Sequence, residues 1–142
     1  MTELQRITFG QLEAGHEFPA TSYQLNHSIV TTYLEAVGDT SSLYQNTDLV
    51  PPMAIAAQAM AALSKNINLP PGVVHVSQEF AFSNTVTVND KLVSYARVSR
   101  KQHRGKFHLL TVDLSVFDQR KKAVLTGKTS FILPEHSGDN RL

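Results

Sequence analysis

The chain has no cysteine among its 142 residues. That absence excludes disulfides, thiolate nucleophiles and thiolate-bound metals, and it fits a reducing, cytoplasmic setting. An excess of one charge is also missing: thirteen Lys and Arg stand against twelve Asp and Glu, a formal net charge of +1, so nothing electrostatic calls for a nucleic-acid partner. No window reaches the ~18 consecutive apolar residues of a membrane span. The N-terminus has neither a basic start followed by an apolar run nor an Arg- and Ser-rich amphipathic stretch, so neither export nor anchoring is expected. No His, Asp and Glu spacing suggests a metal site. The basic residues that do cluster, Arg100, Lys101 and Arg104, then Arg120, Lys121 and Lys122, read as solvated turn charges, the sharper alternative being contact with a phosphorylated cofactor.

What is present is organised around Pro51-Pro52-Met53-Ala54-Ile55-Ala56-Ala57-Gln58-Ala59-Met60-Ala61-Ala62-Leu63, in which Gln58 is the only polar side chain. Two prolines suit a helix start, where a missing N–H costs nothing, and alanine has the highest helix propensity. To Asn66 the segment is roughly 24 Å long, about the diameter of a small domain. A helix apolar on every side is expected to be enclosed by protein. Before it, Gln5 to Phe9 reads as a short strand at a sheet edge and Phe18 to Tyr23 as a second extended piece. Asn26 reads as the N-cap of a helix carrying Ile29, Val30, Tyr33, Leu34 and Val37, ended by Gly38. The polar run from Gly38 to Val50 reads as loop.

After Pro70-Pro71-Gly72 the period changes from helix to strand. Val73 to Phe82, Thr85 to Val88, Leu92 to Ser99, Phe107 to Phe117 and Ala123 to Leu133 are rich in Val, Thr, Phe and Tyr and largely alternate. Short connections between them predict an antiparallel meander, with Leu110, Val112, Leu114 and Val116 on one buried face. The expectation is an α+β chain with one domain over residues 1–142, its core from about 5 to 134 and a polar tail after that. The sheet would curl around the apolar helix in a hot-dog fold.

Ala36-Val37-Gly38-Asp39, Leu43-Tyr44, Val50-Pro51-Pro52, His75-Val76-Ser77-Gln78-Glu79-Phe80 and Val88-Asn89-Asp90-Lys91-Leu92, in that order, resemble the MaoC-like hydratases and dehydratases. The likeness runs from about Asn26 to Pro134 and is to their N-terminal-type, fatty-acid-synthase-type dehydratase subdomain. It implies reversible addition of water across the 2,3-double bond of an acyl thioester carried on coenzyme A or acyl carrier protein, with no other cofactor. Such chemistry needs donors for the charge developing on the thioester oxygen, which a helix N-terminus supplies. Met53 and Ala54 are the candidate N–H donors, because prolines have none; Pro52 and Gln78 are further candidates for the substrate-binding wall.

It also needs a base for water and an acid for the α-carbon. The resemblance assigns these to an Asp and, five positions later, a His. Asp39 falls on the Asp, but Tyr44 stands at the His position and Ser41-Ser42 replaces the usual Asn-Pro. A tyrosine titrates near 10 against about 6.5 for histidine, a gap worth on the order of 5 kcal/mol, so Tyr44 is a poor general base. It can still donate a hydrogen bond or line an acyl tunnel. Asp39 can equally be a loop residue bonding the backbone two positions on. His75 matches a His of the subdomain and would share a strand face with Ser77 and Glu79, opposite Val74, Val76, Gln78 and Phe80. His103 and His108 would face solvent at a charged hairpin, and His16 and His27 carry no partner signal.

Four functions stay open. A partner MaoC-like chain could supply the Asp/His pair in a heterodimer. A homodimer could work with Asp39 and Tyr44 or His75. The chain could bind acyl thioesters without catalysis. A thioesterase is the weakest, since hot-dog thioesterases usually place a carboxylate at or in the central helix and none lies between Val50 and Leu69. Dimerisation has a motive of its own, because a sheet around one helix leaves open edges.

Overall fold

A computed structural model describes residues 6–135. Its elements are β1 (Ile7–Thr8), β2 (Thr21–Gln24), α1 (His27–Val37), α2 (Ser42–Asn46), α3 (Pro52–Ser64), β3 (Ile67–Asn68), β4 (Val74–Phe82), β5 (Lys91–Arg104), β6 (Phe107–Phe117) and β7 (Ala123–Pro134). A 3-10 turn, Phe9–Gln11, follows β1.

The two long helices begin and end where their sequences say. Asn26 Oδ1 accepts the Ile29 N–H at 2.9 Å, and Gly38 at φ 70° turns its N–H back onto Glu35 and Leu34 carbonyls. Pro52 occupies the first turn of α3. Between these helices the expected loop contains a helical turn, α2, because the Ser41 hydroxyl accepts the Leu43 N–H and caps it.

The main sheet has the order β2-β5-β6-β7-β4 and is antiparallel throughout. Only β5, β6 and β7 form the expected meander. β4 and β5 are consecutive in the chain yet lie at distance from one another, β4 pairing with β7 as an edge strand. Thr85 to Val88 is not a strand; it makes one isolated bridge, Thr87 to Leu49, with Val50 N–H bonding the Val86 carbonyl. β1 does not join the main sheet either. It runs parallel to β3, with Ile7 opposite Ile67, while Gln5, the expected start of that strand, lies outside the described residues.

α3 lies along the inner face of this sheet between two packed clusters. One joins its Ala54, Ile55, Ala56 and Ala59 to Leu92, Val116 and Leu125 and to Val30 and Leu34 of α1. The other joins Leu63 to Val98, Leu110, Val112, Leu114 and Leu133. Phe80 touches both. Tyr23 borders the first; burial pushes its hydroxyl pKa above the usual value against the opposing pull of a 2.6 Å hydrogen bond with Ser94 Oγ. Alanines let the sheet approach closely, as their composition implied. Enclosure is nevertheless incomplete within one chain: Met53, Ala57 and Ala61, spaced four apart on one side of α3, remain exposed. The sheet and α1 cover the other sides, and nothing among the described residues covers this one.

The strands of the β5–β6 hairpin run further than expected, to Arg104, so Lys101 is a strand residue and not a turn charge. Its ammonium donates to the carbonyls of Phe9 (3.1 Å) and Leu12 (2.8 Å) and sits 4.5 Å from the Phe9 ring centroid, fastening the 3-10 turn to the sheet. Gly127 is required by contact: a Cβ there would meet the Glu79 carbonyl oxygen at 2.7 Å and the Phe80 ring at 2.9 Å. Its bareness lets β4 lie close against β7.

Candidate functional site

The segment between α1 and α3 carries the first group. Gly38 stops α1 and delivers Asp39 at the turn, where Asp39 Oδ1 accepts the Ser41 N–H at 2.9 Å. The local role weighed for this residue is therefore real. It leaves Oδ2 with no hydrogen bond among the described residues. One turn on, α2 presents Tyr44, half-buried against the cluster of Val30, Leu34 and Val86. Asp39 and Tyr44 both line a cavity of about 370 Å³ with Val30, Leu34, Leu49 and Val88 as its apolar wall. The structure thus brings together the two residues that fall on the Asp and His positions.

His27 lines this cavity as well. It begins α1, and its Nε2 lies 3.8 Å from Asp48 Oδ1, both side chains being well exposed. Sequence reading passed over it because His27 and Asp39 are a helix length apart; the signal was α1 itself, whose start and end are folded onto one cavity by α2.

Pro52, Met53, Ala54, His75 and Gln78 do not line it. At the start of α3 the Ala54 N–H donates to the Pro51 carbonyl at 2.9 Å, so Ala54 is not a free donor as expected: the first turn closes on Pro51. The Met53 N–H makes no hydrogen bond among the described residues, and Met53 is 50% exposed.

The second group lies on β4. A bulge between His75 and Ser77 shifts the register by one, so His75 does not share a face with Ser77 and Glu79 as strict alternation predicted. His75 stays exposed but lies on the face of Thr129, with Nε2 2.7 Å from Thr129 Oγ1 and its ring centroid 5.0 Å from that of Phe131. Gln78, opposite Thr129, is on the same inner face. Its Nε2 donates to the Lys128 carbonyl at 3.0 Å, which turns Oε1 the other way, buried and without a hydrogen-bond partner. An acceptor left so costs about 1–3 kcal/mol unless a donor arrives from outside the chain.

A larger open concavity of about 1350 Å³ lies over the outer face of the sheet and holds none of the candidate residues. It is crossed by a row of alternating charge, Arg97, Asp113, Lys128 and Glu79 on adjacent strands, in which Lys128 Nζ reaches Asp113 Oδ1 at 3.0 Å. Exposed pairs of this kind hold the surface of a sheet and contribute little. The smaller cavity is the one that Asp39 and Tyr44 share.

Residues 13–127 match the family model of the FAS1-like dehydratase domain region. No curated protein matches the sequence. Solved structures do match in shape. The (R)-hydratase PhaJ1 of Pseudomonas aeruginosa superposes with a TM-score of 0.73 at 22% identity, covering 94% of this chain and 89% of that one. A MaoC-like dehydratase of Rhodospirillum rubrum gives 0.71 at 14% identity, covering 92% and 98%. A chain of the HadBC (3R)-hydroxyacyl-ACP dehydratase complex of Mycobacterium tuberculosis gives 0.64 at 14%, covering 84% and 96%. At these identities the likeness is one of fold, and it shows the hot-dog arrangement.

Proposed function

The chain belongs to the FAS1-like dehydratase domain family, and from that premise we propose that it is a subunit of an acyl-thioester hydratase or dehydratase whose reaction is completed by a partner MaoC-like chain. The observation that carries this reading is the shared cavity of Asp39 and Tyr44. Asp39 and Tyr44 can bind and orient there, but position 44 lacks the histidine that the resemblance pairs with the Asp, which leaves a place for a partner's base. In the forward direction a base takes one proton from water as the hydroxyl adds to C3 of the enoyl thioester, charge passes transiently to the thioester oxygen, and one proton is returned to C2, so none is gained or lost overall. Asp39 Oδ2 is the proton-handling group of this chain, Tyr44 a hydrogen-bond donor at the cavity wall, and the Met53 N–H at the open end of α3 a donor for the thioester oxygen.

The open edge supports a partner. Val74, Val76 and Phe82 of β4 are 56%, 46% and 41% exposed, and β4 has one neighbour where an inner strand has two. A second hot-dog chain laid along it would cover these side chains and bring a donor within reach of Gln78. That the HadBC structure is a complex of a (3R)-hydroxyacyl-ACP dehydratase accords with this. The carrier, coenzyme A or acyl carrier protein, is read from the family's chemistry.

One observation favours a second reading, a homodimer that is active alone. His27 shares the cavity with Asp39 and could serve as the base absent from position 44. The assay separates them. Purified chain is given crotonyl-CoA and loss of enoyl absorbance is followed, then the assay is repeated with a co-purified MaoC-type chain. Activity only in the mixture, above that of the partner by itself, supports the first reading. Activity of the chain alone that is lost in His27→Ala supports the second. Inactivity in both, with the acyl thioester still bound, returns the chain to a non-catalytic binding role.

A further inference from the structure

The far end of the β5–β6 hairpin holds a group that the cavity chemistry does not use. His103 and His108 are cross-strand partners there, and their rings stack with centroids 4.7 Å apart at 26°. Glu135 follows β7 and is brought to the same spot by its N–H, which donates to the Lys106 carbonyl at 2.8 Å. Its Oε2 contacts His103 Nε2 and lies 4.0 Å from His108 Nε2. Phe9 packs on the other side of His108, ring centroids 5.2 Å apart.

We propose that His103, His108 and Glu135 form a binding site for one divalent transition-metal ion, Zn2+ being the class that the donors fit best. Their three ligand atoms lie within 4.8 Å of one another. Zinc bonds of about 2.0–2.1 Å in a tetrahedron place ligand atoms about 3.3 Å apart, so small side-chain rotations close the set around an ion. Two imidazoles and one carboxylate are borderline donors suited to Zn2+, Ni2+ and Cu2+ and poorly suited to Mg2+ or Ca2+, which take oxygen. One imidazole and a carboxylate could satisfy each other by sharing a proton. Two imidazoles whose Nε2 atoms are both directed at a single carboxylate oxygen exceed that need, and an ion uses both lone pairs. Two of the donors come from facing strands and the third from beyond β7, so an ion here ties the hairpin to the end of the last strand. The fourth position is left to water or to an outside ligand.

The sequence concealed this because His103 and His108 are five residues apart on different strands and Glu135 is a further 27 positions on, a spacing that matches no local metal motif. The test is titration of tag-free chain with zinc sulfate at pH 7.5, followed by calorimetry and by the thermal unfolding midpoint. One ion per chain with a raised midpoint is expected, with the His103→Ala/His108→Ala variant weakened by more than about tenfold and Glu135→Gln weakened less. Undiminished affinity in the double variant overturns the site, as does absence of heat and of any midpoint shift at millimolar zinc in the wild-type chain. Zinc anomalous scattering from wild-type crystals gives a readout free of variant folding: a peak bonded to both Nε2 atoms supports the site, and peaks only elsewhere overturn it. None of these outcomes depends on hydratase activity.

Discussion

β4 and β6 are built from similar residues and live in different surroundings. β6 has strands on both sides and the helix beneath it; Leu110, Val112 and Val116 are fully buried and their alternation is unbroken. β4 has one neighbour, leaves Val74, Val76 and Phe82 exposed, and carries a bulge that moves His75 onto the face of Gln78. The same propensity for extended structure therefore yields a core element in one place and an unfinished edge in the other. Burial on both sides stabilises a strand, and an edge left open is one that another chain can pair with.

The widest expected separation is in core truncation. Leu110→Ala on β6 should lower stability by about 2–5 kcal/mol in urea unfolding, whereas Val76→Ala on β4 should stay within about 0.5 kcal/mol in the isolated protomer. Similar losses at both positions would break the contrast. Gly127→Ala comes next: its Cβ would strike the Glu79 carbonyl, costing on the order of 1–3 kcal/mol. Hydrogen exchange should show β4 amides losing protection before those of β6.

A smaller effect belongs to the turn leading into β5. Burial works to raise the pKa of the Asp90 carboxyl, but hydrogen bonds from Thr87 and Gln119 and the charge of Arg120 outweigh it and hold the pKa below the usual carboxylate value. A depressed folded value means that Asp90 stabilises the fold above the unfolded carboxylate value of about 3.9 and that this contribution is lost as pH falls through the folded one. Asp90→Asn should flatten the acid limb of the stability profile by about 0.5 kcal/mol, solvent screening included. Smallest for the protomer itself, Val76→Lys with Phe82→Lys should change its unfolding midpoint little while converting dimer to monomer by light scattering. A dimer that survives both lysines would place the interface elsewhere.

The same contrast explains what could be read in advance. α1, α3 and the strands of the β5-β6-β7 meander were legible because caps, prolines and alternation act locally and their neighbours agree with them. The placement of β4 was not, since strand order depends on a crossover that no local pattern encodes, and the bulge after His75 defeats a face assignment by strict alternation. Asp39 and Tyr44 were singled out because they fall on the Asp and His positions of the resemblance, and their common cavity follows from α2 joining them. His27 and the His103, His108 and Glu135 group were missed because their members meet only through tertiary pairing. Ala54 was misjudged for a subtler reason: a helix that starts on a proline can close its first turn on the proline carbonyl just before it.

The claim on which the functional account depends is that the acyl thioester is held beside Asp39 and Tyr44. A co-crystal with 3-hydroxybutyryl-CoA, together with the partner chain if one is required, tests it directly. Thioester density entering the 370 Å³ cavity beside Asp39 and Tyr44 is the predicted result. Density confined to the broad concavity on the outer face of the sheet, with the Asp39 cavity unchanged, would contradict it.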